Sequence, residues 1–414
     1  PRALHALLRE HDQNGIRVAL GSRQVTDAAP ASGLIVTGRT GNLDAMDWIA
    51  MAQGGDGEGK LPLRHIDVTA ERLLLIGASF PDTRLQLAPA NKAVAIALDG
   101  QALAGSLLVP DAKGSAISGK LSRVYWRSAA SPGTVSTPAQ RAAANDFDPS
   151  SVPPLALDID DLRFGDASFG NAKLRTQQLA GGMQVDQLQL RSPKQAIDVN
   201  GQWTGRGTSA RTRLNVSIDS QDVGAMMDGL GYKRRVGGGH GQIKIGAGWP
   251  GSPGAFQLAA LEGSVQVAVR DGHLLELEPG AGRVLGLLSV AELRRRMMLD
   301  FSDFFSKGFA FNRIDGDIRL SNGLASSDDL VIDGPSAEIR IRGDTDLRAE
   351  RFDQTVQVLP KSANVLTDVG AVAGDHPVEH AAEGVEVAPG ALVALGVVLL
   401  ERREALRYHH GEVG

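Results

Sequence analysis

Apolar and polar residues alternate with a period of two along most of this chain. Leu85 and Leu87 are interleaved with Arg84 and Gln86, and Val94, Ile96 and Leu98 with alanines. The same beat returns in Met183/Val185, Leu188/Leu190, Ile197/Val199, Leu214/Val216/Ile218, Ile243/Ile245 and Val265/Val267/Val269. Their partners of opposite parity are polar or small: Gln184, Asp186, Gln189, Asn215, Ser217, Gln242, Lys244 and Gln266. Ile314 to Leu320, Leu330 to Ile332, Ala337 to Arg342 (with Ile339 and Ile341) and Thr355 to Val358 (with Val356 and Val358) continue it. Side chains of a strand point alternately to its two faces, so this spacing predicts half-buried antiparallel strands with one apolar face. Asp99-Gly100, Asn322-Gly323 and Asp333-Gly334-Pro335 supply turn signals between them.

The beat breaks in a few places. Val284, Leu285, Leu287, Leu288, Leu293 and Met297 recur at helical spacing, which predicts one long amphipathic helix over 281–298. Arg294, Arg295 and Arg296 crowd its far end, and five of the eleven phenylalanines follow it closely. Two short helices are predicted as well. One runs from an Asn42 N-cap to Ile49, the other from Ser220 or Asp222 to Tyr232. Gly54 to Lys60 reads as a flexible loop, and Ser128 to Pro154, without periodicity, as a linker or long surface loop. Beyond it Pro154-Leu155-Ala156-Leu157-Asp158-Ile159 and Ala167-Ser168-Phe169 echo Pro62 to Val68 and Ala78-Ser79-Phe80. An offset of roughly 90 residues is on the scale of a repeated sheet unit. The organisation expected is therefore a first β segment over 1–127, the stretch 128–154, a second β segment over 155–360, and a divergent or frameshifted tail over 361–414.

Composition narrows the function. The 414 residues are 42% hydrophobic, enough for a sizeable core, while the net charge of -5 offers no basic footprint for nucleic acid. Aromatic residues make up only 4%, too few for stacking platforms. The 50 glycines and 19 prolines suit many short strands joined by tight turns. Without cysteine there is neither a disulfide nor a thiolate metal site. No apolar run reaches the roughly 18 residues of a membrane span, and Ala388 to Leu400 is short for one. No signal peptide opens the chain, and its start at Pro1 reads as that of a fragment.

Candidate chemistry is sparse. Gly280-Ala281-Gly282-Arg283-Val284-Leu285-Gly286 has the look of a dinucleotide loop, but the parallel unit and ribose-binding acid that such a loop needs do not follow, so it reads as a helix entry. Asp300 and Asp303 lack a third ligand type and read as turn residues. His376, His380, His409 and His410 are out of order for a zinc protease. Arg294 to Arg296 either meet anionic headgroups or complete a helix terminus. No catalytic residue, metal site or cofactor is assigned.

Several short motifs in one order carry a family resemblance: Arg283-Val284-Leu285-Gly286-Leu287-Leu288, Leu299-Asp300-Phe301-Ser302-Asp303-Phe304, Lys307-Gly308-Phe309 and Ile314-Asp315-Gly316. They resemble the C-terminal signature of the YhdP-type AsmA-like envelope proteins of Gram-negative bacteria, and the likeness extends from about Gly15 to about Gly374. After Gly374 the chain departs from the Gly/Ala-rich helix and last strand of the family. The pattern of strands by itself allows a sandwich, a barrel or an open trough. The resemblance implies the last: a mainly β fold, an elongated, twisted antiparallel sheet curled into a groove, with a few short helices and one longer helix near 281–298. It also implies a non-enzymatic periplasmic conduit for phospholipid acyl chains between inner and outer membrane, anchored to the inner membrane by an N-terminal segment outside this chain. The candidate groove residues are Leu188, Leu190, Leu214, Val216, Ile218, Ile243, Ile245, Val265, Val267, Val269, Ile339, Ile341, Val356 and Val358. The alternative is a structural or assembly protein of the envelope that binds protein partners by edge-strand pairing.

Overall fold

The computed structural model describes residues 4–8, 15–45, 62–75, 78–127, 148–165, 167–229, 235–253, 260–275, 309–349 and 351–361. The helix expected over 281–298, the Gly54–Lys60 loop and the tail beyond Lys361 lie outside the described residues. Nineteen strands account for most of what is described, and the pairing does not close into a barrel. The chain divides into two units, one of residues 1–192, 198–212 and 251–255, the other of residues 193–197, 213–250 and 256–414.

In the first unit the strands are β1 (Leu4–Leu8), β2 (Gly15–Leu20), β3 (Gly33–Asp44), β4 (Leu63–Leu75), β5 (Ala78–Ala90) and β6 (Ala93–Asp99). They continue as β7 (Leu103–Pro110), β8 (Ile117–Trp126), β9 (Leu155–Phe164), β10 (Ala167–Leu179) and β11 (Gly182–Ser192). Each pairs with the next. Most joints are antiparallel, as one-sided alternation leads one to expect, but β2–β3, β3–β4 and β8–β9 are parallel. A parallel joint cannot be closed by a hairpin, because the chain must first return along the length of a strand. The aperiodic stretch 127–154 therefore separates two strands that are direct neighbours.

The echo in sequence corresponds to a structural equivalence. β4–β5 and β9–β10 are both hairpins entered through a parallel joint, and in both the preceding proline ties that joint. Leu34 N donates to Pro62 O at 2.9 Å, and Ile117 N to Pro154 O at 2.8 Å. Each hairpin also carries an aspartate–arginine pair across its strands, Asp67 with Arg84 and Asp158 with Arg175.

The helix expected from Asn42 to Ile49 starts later than its capping signal suggests. Asn42, Leu43 and Asp44 are the end of β3 and Ala45 is helical, while 46–49 lie outside the described residues. Leu43 pairs with Leu73, and Arg72 Nε donates to Asn42 Oδ1 at 3.0 Å, so strand pairing overrides the capping signal.

In the second unit β13 (Arg211–Ser220) leads through a helix, α1 (Val223–Gly229), to β14 (Val236–Pro250). β12 (Gln195–Thr204) precedes β13. Asp222 caps α1, accepting from Ala225 N at 2.9 Å, which agrees with the helix expected to start near Ser220 or Asp222. The strands β15 (Glu262–Leu274), β16 (Phe309–Ser321), β17 (Leu324–Asp333), β18 (Ala337–Asp346) and β19 (Arg351–Pro360) follow as an antiparallel meander from β14. At the β16–β17 turn Asn322 and Gly323 both have positive φ, 50° and 78°, the geometry that a two-residue hairpin demands.

Candidate functional site: one apolar face

Directly paired residues share a face, so the registers assemble the site. In the second unit Val269 pairs with Ile314, Ile314 with Ile332, Ile332 with Ile339, and Ile339 with Val358. This is an unbroken aliphatic row across β15–β19. A second row runs Ile243–Val267–Gly316, and Leu330 lies against Gly316, so close that a Cβ there would meet Leu330 Cα at 2.7 Å. Leu330 then pairs with Ile341 and Ile341 with Val356. Ile245 faces Val265, and Val265 faces Ile318. Gln242 Nε2 donates to Asp219 Oδ2 at 3.0 Å, which puts Asp219 on the polar side with Gln242 and turns Ile218, one residue earlier, to the side of Ile243. Leu214 and Val216 share that side by alternation, and their neighbours Arg213, Asn215 and Ser217 are exposed. The twelve candidates in this unit thus lie on one face.

Leu188 and Leu190, on β11, belong to rows of the first unit. One passes from Val18 through Val36, Ile66, Leu87, Ile96, Leu107, Gly119, Leu157 and Leu174 to Leu188. The other includes Val68, Leu85, Leu98, Gly105, Leu121, Ile159 and Ala172 before Leu190. Sequence reasoning listed only the last members of these rows. The regular pairing needed to connect the rest crosses parallel joints, which alternation does not announce.

Burial along the two faces is uneven. Ile66, Val68 and Phe80 have no exposure, nor do Val269 and Ile314, so a single layer of sheet is covered at these points. Between β5 and β8 the cover is visible. Ser79 N donates to Arg127 O at 3.1 Å, and the Phe80 and Trp126 rings meet edge to face with centroids 6.0 Å apart. The four strands β5–β8 curl until their outer members touch. By contrast Leu157, Leu174 and Leu188, and in the second unit Leu214, Val216, Ile245, Val356 and Val358, are only half-buried.

The opposite face is charged. Arg84 grips Asp67 with two hydrogen bonds of 2.7 and 2.5 Å, and this contact holds the Asp67 carboxyl below its ordinary range. Arg175 lowers Asp158 in the same way. In the second unit Arg270 meets Asp315 at 2.6 Å, Arg313 lies between Asp315 and Asp333, and Lys361 also reaches Asp333. Each such exposed pair is worth little in stability, but together they keep that face in water and leave the aliphatic one facing inward. Among the described residues no group of three His, Asp or Glu side chains could hold a metal ion, and no helix is long and apolar enough to cross a membrane.

A mainly β fold with continuous aliphatic rows on one face and a charged opposite face defines a class, the AsmA-like β-groove proteins. Within that class the chain belongs to the YhdP family, whose model, described as YhdP protein, matches residues 3–382. The chain is also similar to the intermembrane phospholipid transporter YhdP of Escherichia coli strain K12, with 28% identity over 187 residues. That match covers 45% of this chain and 15% of the relative, so the chain corresponds to a minor part of that protein's length. No solved structure matches the chain.

Proposed function

We propose that this chain is a length of lipid conduit, carrying phospholipid acyl chains along its aliphatic face between the inner and outer membranes. The observation that supports it best is the row Val269–Ile314–Ile332–Ile339–Val358, which crosses five neighbouring strands without a polar residue. Each acyl methylene taken out of water contributes about 0.8 kcal/mol, so such a floor holds a chain without needing a shaped pocket. Branched aliphatic walls grip no particular headgroup, which suits a ligand that slides. In this reading chains enter where the face is half-exposed, at Leu188, Leu214, Val216, Val356 and Val358. The work is done in the periplasm without chemical conversion, and N-terminal sequence outside residues 1–414 anchors the protein to the inner membrane.

The test is a photo-crosslinking amino acid placed at Val358 and at Leu188, with Gln357 on the polar parity of β19 as control. Phospholipid attached at the first two positions and not at the third is the expected result. Lipid at none of them, in a folded and abundant protein, overturns the conduit in favour of a scaffold that works through strand edges.

A further inference from the structure

Among the described residues the aliphatic face of the second unit is interrupted on β17, β18 and β19. Next to the row Leu330–Ile341–Val356, two residues further along β18 and β19 and three along β17, comes Ser327–Gly343–Gln354, with Thr345 beside it. Gly343, Thr345 and Gln354 share the parity of the isoleucines and valines on their own strands, and Ser327 is brought opposite Gly343 by a bulge between it and Leu330, so these positions belong to the inner face. Ser327, Thr345 and Gln354 are each more than nine-tenths buried. Two of them have evident tasks. The Ser327 hydroxyl donates to Asp317 O at 2.8 Å, where a bulge interrupts the β16–β17 ladder. The Thr345 hydroxyl oxygen accepts from Gln354 Nε2 at 2.8 Å and fixes the carboxamide.

Gln354 Oε1 is different. It is buried and has no hydrogen-bond partner. A buried acceptor left unpaired is unfavourable, and valine, isoleucine or threonine would suit a strand better at this position. The next residue in the row is Gly343, with φ of 123°, where the backbone of β19 comes so close that a Cβ would collide with Asp353 O, so the row offers the amide no side-chain donor at that position. The row also lies near the rim. β18 ends at Asp346, β19 begins at Arg351, and Leu324 at the start of β17 is 41% exposed.

We propose that Gln354, held by Thr345 with its Oε1 unpaired, is a polar station that receives a hydrogen-bond-donating headgroup while the acyl chains of the same molecule lie along Ile341, Val356, Ile339 and Val358. The group is an acceptor's complement, a primary ammonium or a hydroxyl, not a quaternary ammonium. The inference rests on the conduit reading and adds to it a preference among lipids at one point of an otherwise indifferent path.

The experiment offers the purified full chain vesicles containing equal amounts of dioleoyl phosphatidylethanolamine and dioleoyl phosphatidylcholine. These lipids differ in whether the nitrogen carries hydrogens. Bound lipid is extracted and weighed by mass spectrometry. One added hydrogen bond corresponds to an enrichment of about three- to tenfold for phosphatidylethanolamine. In Gln354→Met, close in shape and without the acceptor, the ratio falls to about one whatever the total bound. In Thr345→Val, which frees the amide, it falls part of the way. Lipid bound by the parent at a ratio of one, or a preference that Gln354→Met leaves intact, overturns the station and spares the conduit. No lipid bound by a folded parent overturns the conduit, and the station with it.

Discussion

Phe311 lies over Gly272: a Cβ built on the glycine would stand 2.5 Å from the tip of the ring. The two residues are paired across β15 and β16, and the ring occupies the space that the missing side chain leaves. Gly272→Ala should therefore destabilise by overpacking, about 1–3 kcal/mol, although the backbone there needs no glycine conformation. Thermal unfolding measures the loss. Adding Phe311→Leu should recover part of it, and a double variant no better than the sum of the singles would show that the ring is not the obstacle.

The contact between Phe80 and Trp126 holds the outer members of the β5–β8 curl together. Trp126→Ala should cost about 2–4 kcal/mol, toward the low end because Trp126 is only partly buried, and Trp126→Phe appreciably less. The diagnostic readout is amide exchange at Ser79, whose N–H donates to Arg127 O. It should accelerate in the alanine variant more than amides of β10 do.

Acid should loosen the entry to α1. Asp222 accepts from Lys194 Nζ at 2.6 Å and from the backbone of Ala225, and these bonds depress its carboxyl pKa. A depressed folded-state pKa means that the unfolded chain binds the proton more readily, so the contribution is complete above the ordinary aspartate value near 4 and fades as pH falls below it. Because Lys194 is largely exposed, most of the effect belongs to the cap, about 1 kcal/mol for Asp222→Ala. The stabilities of parent and variant should differ fully above the ordinary aspartate range and converge as pH falls through it and below.

The conduit predicts a different response at two positions of one face. Val267 is 3% exposed, so Val267→Glu buries a carboxylate and should cost several kcal/mol, impairing the fold along with any flow. Val358 is half-buried on β19, where a glutamate side chain can reach water. Val358→Glu should leave the melting temperature within a few degrees of the parent and reduce lipid crosslinking at the neighbouring Val356 severalfold. Equal crosslinking in a folded Val358→Glu protein would remove this strand from the lipid path.

Much of this architecture was legible in the sequence, and the reason is physical. A strand with one face in water and one away from it must alternate, so Leu214, Val216 and Ile218, or Val265, Val267 and Val269, declare their shared sides without any contact being known. The exceptions in direction leave no such trace. One-sided alternation points to antiparallel neighbours, and a strand that joins one neighbour in parallel keeps the same beat, so the joints at β2–β3, β3–β4 and β8–β9 were hidden, and with them the long rows of the first unit. At Asn42 a local capping signal was outweighed by pairing with a strand some thirty residues away, a tertiary effect that no short window contains. Gln354 did leave a sign. Its parity is that of Val356 and Val358, which makes it a polar residue on an apolar beat.

The parallel joints also set the order in which the first unit can assemble. Strands β4 to β8, and separately β9 to β11, are joined by short turns and can zip from neighbour to neighbour while the chain between them is still loose. The seam of Ile117 to Trp126 against Leu155 to Phe164 can close only after the chain from 127 to 154 has found its way back, so loop closure delays it. Two blocks that mature early and fuse late expose, in the interval, two unsatisfied strand edges of matching register. That interval is when a growing chain of this kind is most open to pairing with the wrong copy of its own repeat.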